Sequence, residues 1–304
     1  RHGLDADGVV GQTTRYALHA PVEKRIQQIT ANLERWRWLP RDMGDRHIRV
    51  NTAAFELQAI ENDRSVLSMR VVVGKSNHQT PSFSEDMRYL VLNPYWNVPN
   101  KIARDELIPK ERAHPGYLSR KNIRVISGKS VLNPNRVNFR KYRGVRNLPI
   151  RLRQEPGGRN ALGQIKFIFP NKFSVYLHDT PSKSLFSKVQ RTFSHGCVRV
   201  EDPLRLADYV LGENWNSEAI QKGVDTGKNR SIKLPVHLPV HIVYQTVWVK
   251  ESGEINFRKD LYHNDRHIMA RLPAAQAMPQ QTFATNETTQ EPLSLLNTLE
   301  PLIN

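Results

Sequence analysis

Tyr176-Leu177-His178-Asp179-Thr180 and, further along, Thr192-Phe193-Ser194-His195-Gly196-Cys197-Val198-Arg199-Val200 decide the reading of this chain. The first segment closes a strand expected over Phe173 to Leu177, and the second precedes a helix that Asp202 caps and Pro203 opens. Cys197 is the only cysteine, so no internal disulfide is available and one thiol needs an explanation. A thiol attacks a carbonyl as thiolate and needs a nearby base or cation, for which His178 and His195 are candidates. Gly196 permits a tight backbone approach beside the thiol, so that successive N–H groups can point at a developing oxyanion. The bland reading is a small buried cysteine beside a satisfied histidine. The same residues could be offered as zinc ligands, but their spacing matches no common zinc pattern and no Cys-x-x-Cys pair accompanies them. No metal or other cofactor is expected.

Outward from this segment the chain changes period twice. Pro21 opens a connector helix in which Val22, Ile26, Ile29, Leu33 and Trp36 recur at steps of four and three, until Pro40 stops the run. That spacing predicts one apolar stripe facing a core, and so a docked connector over residues 21–40. From Ile48 the period falls to two, and Phe55 to Ile60, Val66 to Val73, Tyr89 to Leu92 and Ile165 to Phe169 read as strands of a mainly antiparallel β domain with some helix, spanning residues 45–271. Val240 to Val249 reads as a late strand, paired with Ile255 to Arg258. Residues 101–159 interrupt the strands with Pro and Gly punctuation and are too long for an ordinary connection, so an inserted, lid-like subdomain is expected. Residues 1–20 read as the end of a small domain with a Thr-capped helix, and residues 272–304 as a mobile or peripheral tail.

Ser-His-Gly-Cys-x-Arg, with a histidine nineteen residues before the cysteine, resembles the signature of the L,D-transpeptidase catalytic domain, also called the YkuD domain. Asn160-Ala161-Leu162-Gly163 and Pro94-Tyr95-Trp96-Asn97-Val98-Pro99 are similar to its strand-edge motifs. The connector and long insert resemble the large Gram-negative periplasmic branch, and residues 1–20 the second half of a helical peptidoglycan-binding domain. The resemblance implies Cys197 as nucleophile and His178 as general base, with the Asp179 backbone carbonyl holding the other imidazole nitrogen. It implies oxyanion donors from His195, Gly196 and Cys197, and a substrate site lined by Tyr176, Ser194 and Arg199. The reaction implied is a 3→3 cross-link between peptidoglycan stem peptides through a thioester, with carbapenem β-lactams as covalent inhibitors. Water or a lipoprotein amine as acceptor, and a silent wall-binding scaffold, remain alternatives.

Charge and hydropathy fit this expectation. The chain of 304 residues carries a net charge of +16. Between Val98 and Arg159 sixteen lysines and arginines stand against four carboxylates, which points to an anionic polymer as partner. Nucleic acid is disfavoured because no zinc-finger, phosphate-loop or single-strand-binding pattern accompanies the charge. No stretch approaches the roughly 20 apolar residues of a spanning helix. The chain does not begin with Met, so the expectation is a processed envelope protein, periplasmic, with any export signal upstream.

Overall fold

The computed structural model describes residues 1–250 and 252–272. The tail expected over residues 272–304 lies outside the described residues except for Leu272. Two helices come first, α1 (Gln12–Leu18) and α2 (Val22–Arg37), then strands β1 (Arg46–Asn51), β2 (Glu56–Glu61), β3 (Arg64–Gly74) and β4 (Phe83–Leu92). An excursion follows: β5 (Trp96–Asn97), α3 (Asn100–Ile102), a π-helical turn Ala103–Leu107, α4 (Ile108–Ala113), α5 (Tyr117–Arg120), β6 (Ile123–Ser127), β7 (Ser130–Leu132) and β8 (Arg151–Gln154). The chain then returns through β9 (Ile165–Ile168), β10 (Leu177–His178), β11 (Thr192–Ser194) and β12 (Val198–Val200). The described residues close with α6 (Pro203–Leu211), α7 (Ser217–Asp225), β13 (Arg230–Val243), a β14–β15 hairpin (Val247–Val249, Ile255–Phe257) and α8 (Asn264–Met269).

Nine strands form one sheet in the order β11-β3-β12-β10-β9-β4-β13-β1-β2, and a further β2–β3 pairing closes eight of them into a ring. The fold is therefore β-rich with helices, mostly antiparallel, with β1–β13, β10–β12 and β11–β3 parallel. Alternation explains the inward face: Leu67, Met69, Val71 and Val73 of β3 are buried, and with Leu57, Leu90, Phe167, Leu177 and Val198 they make the principal core. Asp202 caps α6 by accepting from the Arg205 N–H, and α6 buries Leu206, Ala207, Val210 and Leu211 against that core. The long strand β13 shifts register between Lys233 and Leu238, where Pro235 cannot donate to a ladder. Val240 to Val243 thus belongs to β13, paired with β1 and β4; only Val247–Val249 pairs with Ile255–Phe257. The expected strand over Phe173 to Leu177 shrinks to Leu177–His178, because Asn171 turns the preceding chain through its own side chain, accepting from the N–H groups of Phe173 and Val175.

Residues of the excursion build a separate four-stranded sheet, β5-β8-β6-β7, around Leu107, Ile108, Leu118, Ile123, Val125, Phe139 and Leu152. The buried Glu111 carboxylate ties its helices, accepting from the N–H groups of Gly116 and Leu118 at 2.8 and 2.7 Å.

The connector helix departs from its sequence reading. Its apolar stripe does not face a core: Val22, Ile26, Leu33 and Trp36 are exposed, while Ala31, Asn32 and Arg35 are buried. The polar edge docks instead. Gln28 donates to the carbonyl of Arg258 at 2.7 Å, Asn32 exchanges hydrogen bonds with Thr246, and Arg35 pairs with Asp265 at 2.6 Å. These amides satisfy backbone groups of the segment around β14 and β15 that no strand covers. Periodicity locates an apolar face but does not say which face meets the domain. At α1 the expected threonine cap is absent; Gly11 occupies the cap position and no α1 side chain is buried.

Candidate active site

Short β10 positions the site. It runs parallel to β12, with Leu177 opposite Val198 and His178 opposite Arg199, and antiparallel to β9, with Leu177 opposite Phe167 and His178 opposite Lys166. Leu177, Phe167 and Val198 are fully buried in the core, so Lys166, His178 and Arg199 stand in one row on the other face. Two residues back along β10 and β12, alternation brings Tyr176 and Cys197 to the same face. The Tyr176 ring lies 5.6 Å from the His178 ring, and the Lys166 ammonium 3.8 Å from the Tyr176 ring centre.

His178 is buried, and its Nδ1 lies 2.5 Å from the Asp179 carbonyl oxygen. That contact makes Nδ1 the N–H donor and leaves the lone pair on Nε2, the tautomer a general base requires. Burial, followed by the Arg199 charge, pushes the imidazole pKa down to about 3, although the carbonyls of Asp179 and Leu162 favour its charged form. The Cys197 thiol is pushed up by burial, and hydrogen bonding from Tyr176 and the charges of Lys166 and Arg199 oppose that shift. The sulfur lies 3.9 Å from the Ser174 carbonyl oxygen. Among the hydrogen bonds of the described residues, none joins His178 to Cys197. The arrangement is a neutral thiol near a neutral imidazole, not a preformed ion pair.

The Ser194–Cys197 loop is held from within and from two sides. Buried Ser194 accepts the Gly196 N–H at 3.1 Å and donates to the Cys197 carbonyl at 2.5 Å. Two sequence expectations change accordingly: Ser194 braces the loop and does not line a substrate surface, and the Gly196 N–H is already spent on Ser194. Gly196 sits at φ +115°, a conformation that side chains with a Cβ rarely adopt. Thr80 donates to the Gly196 carbonyl at 2.8 Å and accepts the Gly74 N–H at 3.0 Å. From the excursion, Glu106 reaches the His195 ring, with Oε1 2.6 Å from Nε2, and the His78 ring lies 4.9 Å from that of His195.

Asp179 acts through both ends. Its carbonyl orients His178, while its carboxylate accepts the Gln164 N–H at 2.8 Å and pairs with Lys183 at 2.7 Å. Gly163, at φ +61°, leaves room for that carboxylate; a β-carbon there would lie 2.2 Å from Asp179 Oδ2. The structure therefore gathers Cys197, His178, Tyr176, Arg199 and Asp179 at one place, and directs the His195 side chain toward the excursion. Sequence reading missed Lys166, Thr80 and Glu106. Lys166 had a signal, as the polar residue between Ile165 and Phe167. Glu106 had none, since 89 residues separate it from His195. Among the described residues no group of His, Cys, Asp and Glu is placed to hold a metal ion.

The profile of the YkuD family, the L,D-transpeptidase catalytic domain, matches residues 45–269. A putative L,D-transpeptidase of Haemophilus influenzae is 33% identical over 246 residues, covering 80% of this chain and 49% of that protein. This chain thus spans about half the length of that curated relative. Among solved structures, an L,D-transpeptidase from Mycobacterium smegmatis is 12% identical, with 66% of this chain and 58% of that one covered at a TM-score of 0.29. One from Xylanimonas cellulosilytica is 15% identical, with 79% and 74% covered at a TM-score of 0.29. LdtMt1 in complex with imipenem is 12% identical, with 66% and 59% covered at a TM-score of 0.29. With the profile covering most of its length, the chain belongs to the YkuD L,D-transpeptidase family.

Proposed function

We propose that this chain is an L,D-transpeptidase that forms 3→3 peptidoglycan cross-links through a thioester on Cys197. One observation carries the reading: the single thiol shares a sheet face with an imidazole whose Nδ1 is locked to a carbonyl, leaving Nε2 free to take a proton. In the first half-reaction the thiol proton passes to Nε2 and sulfur attacks the carbonyl of the diamino acid at stem position three. The N–H groups of His195 and Cys197 face the developing oxyanion, Gly196 being engaged by Ser194. Collapse expels D-Ala, which leaves with the proton returned by His178. The side-chain amine of a second stem then displaces sulfur, forming the amide and restoring the thiol.

Arg199 and the basic excursion suit a carboxylate-rich wall polymer, and the Glu106–His195 contact supports a lid over residues 101–159 that closes on the stems. Residues 1–20 are assigned, in the same proposal, to the end of a peptidoglycan-binding module, and the site of action to the periplasm. No helix among the described residues is long and apolar enough to cross a membrane. Because a β-lactam ring offers the same strained acyl donor to a thiolate, carbapenems should acylate Cys197. Intact-mass spectrometry after incubation with purified muropeptides tests the reading: a thioester adduct on Cys197 and 3→3 dimers are expected. Adducts without dimers, with tripeptide accumulating, would make water the acceptor. No adduct from any stem donor would overturn the assignment.

A further inference from the structure

The thiol and imidazole leave a gap in the chemistry. With Cys197 pushed up by burial and His178 pushed down, both shifts make proton transfer from the thiol to the imidazole uphill. Something else on the same face must favour the thiolate. Lys166 and Arg199 flank His178 across the sheet, one on β9 and one on β12. Neither forms an ion pair among the described residues, and for both the opposing charge that acts on them is the Cys197 thiolate. Both cations also push His178 toward its neutral form. The same two charges thus separate the partners: they favour sulfur as an anion and imidazole as a neutral acceptor.

We propose that Lys166 is a positioning residue for the Cys197 thiolate, holding the Tyr176 ring by its ammonium so that Tyr176 stays against the sulfur while adding its own positive charge to the site. The ammonium lies 3.8 Å from the ring centre, short for such a contact, and the lysine is partly desolvated, where a cation on an aromatic face is worth most. Tyr176 in turn is tied to the Cys197 segment, its carbonyl accepting the N–H of Val198 at 3.2 Å, and the Tyr176 hydroxyl and backbone favour the thiolate. Other charged or titratable groups around the thiol are Arg199 on β12, His178 on β10, His195 in the Cys197 loop with Glu106 from the excursion, and His78 after β3. Glu106 and His195 engage each other, so Lys166 and Arg199 are the cations left for the sulfur. This inference rests on Cys197 being the nucleophile, but not on the identity of the acyl donor.

The test is the pH profile of Cys197 alkylation by iodoacetamide, a small neutral reagent that needs no stem peptide. In Lys166→Met the midpoint should rise by about one pH unit, so that alkylation near pH 7.5 slows roughly tenfold. Lys166→Arg should restore most of the rate. Tyr176→Phe should slow alkylation as well, and adding Lys166→Met to it should cost less than in the native chain, since the lysine acts partly through the ring. A Lys166→Met profile that overlays the native one would overturn the inference, as would a slowed rate with an unchanged midpoint that Lys166→Arg does not rescue. A raised KM for stem donors with unchanged alkylation would make Lys166 a substrate contact and also overturn it. If the midpoint shifts as expected while no stem donor acylates Cys197, the transpeptidase reading fails and the role of Lys166 stands. If Lys166→Met does not fold, Lys166→Gln carries the same comparison.

Discussion

Replacing His178 by glutamine should flatten the acid side of the stability curve. His178 is 4% exposed and held neutral, with its pKa pushed from 6.5 down to about 3 by burial first and the Arg199 charge second. Below pH 6.5 the unfolded chain therefore binds a proton at this residue that the folded chain refuses. Stability contributed by the neutral imidazole is fully present above 6.5 and is lost as pH falls toward 3. Linkage gives a slope of about 1.4 kcal/mol per pH unit across that window, so moving from pH 7.5 to 5.5 should cost the native chain roughly 1.4 kcal/mol from this group alone. Glutamine is close in size, can donate an N–H to the Asp179 carbonyl, and does not titrate. Urea unfolding at pH 7.5, 6.5 and 5.5 for both proteins isolates the residue, since the two chains differ only at position 178. The expected result is a native-minus-variant difference that falls by about 1.4 kcal/mol over this range. A constant difference would refute the reasoning, because it would mean that the folded imidazole accepts a proton as readily as the free one.

Cys197→Ala should keep the fold and lose every thioester and carbapenem adduct, read by intact mass; an adduct on another residue would contradict the proposed chemistry. Asn32→Ala removes the paired hydrogen bonds to Thr246 at 2.7 and 2.9 Å and should cost about 1–3 kcal/mol in chemical denaturation, whereas Leu33→Ser on the exposed side should change stability by less than about 0.5 kcal/mol. Gly163→Ala places a β-carbon 2.2 Å from the Asp179 carboxylate and should destabilise the chain by about 1–3 kcal/mol and lower muropeptide turnover, since Asp179 orients His178. Glu106→Ala should speed hydrogen exchange in residues 101–115 severalfold while leaving iodoacetamide alkylation of Cys197 within a factor of two; unchanged exchange would show that the contact with His195 does not hold the excursion, and would count against the proposed lid.

Most of the β framework was legible because strand formation leaves a period of two wherever one face is buried, as in Val66 to Val73 and Ile165 to Phe169. The chemistry-bearing segment was legible for a different reason: Ser194 to Arg199 is contiguous, and one thiol with glycine before it and a histidine upstream constrains the chemistry locally. The Asp202–Pro203 helix start was legible in the same way, since a cap and its first turn are neighbours in sequence.

Tertiary structure alone decided relations between distant segments. Ser194 sits in the motif, yet only the folded loop shows that its hydroxyl consumes the Gly196 N–H. The connector helix has an apolar stripe at regular spacing, but it docks by Gln28, Asn32 and Arg35, because unpaired backbone groups near Thr246 and Arg258 require donors and acceptors that the stripe lacks. Lys166 and Arg199 lie 33 residues apart and become flanking charges around His178 only through strand register. Local sequence determines which residues can do the chemistry; the pairing of β9, β10 and β12 determines which charges they feel, since electrostatic coupling depends on distance in space and not along the chain.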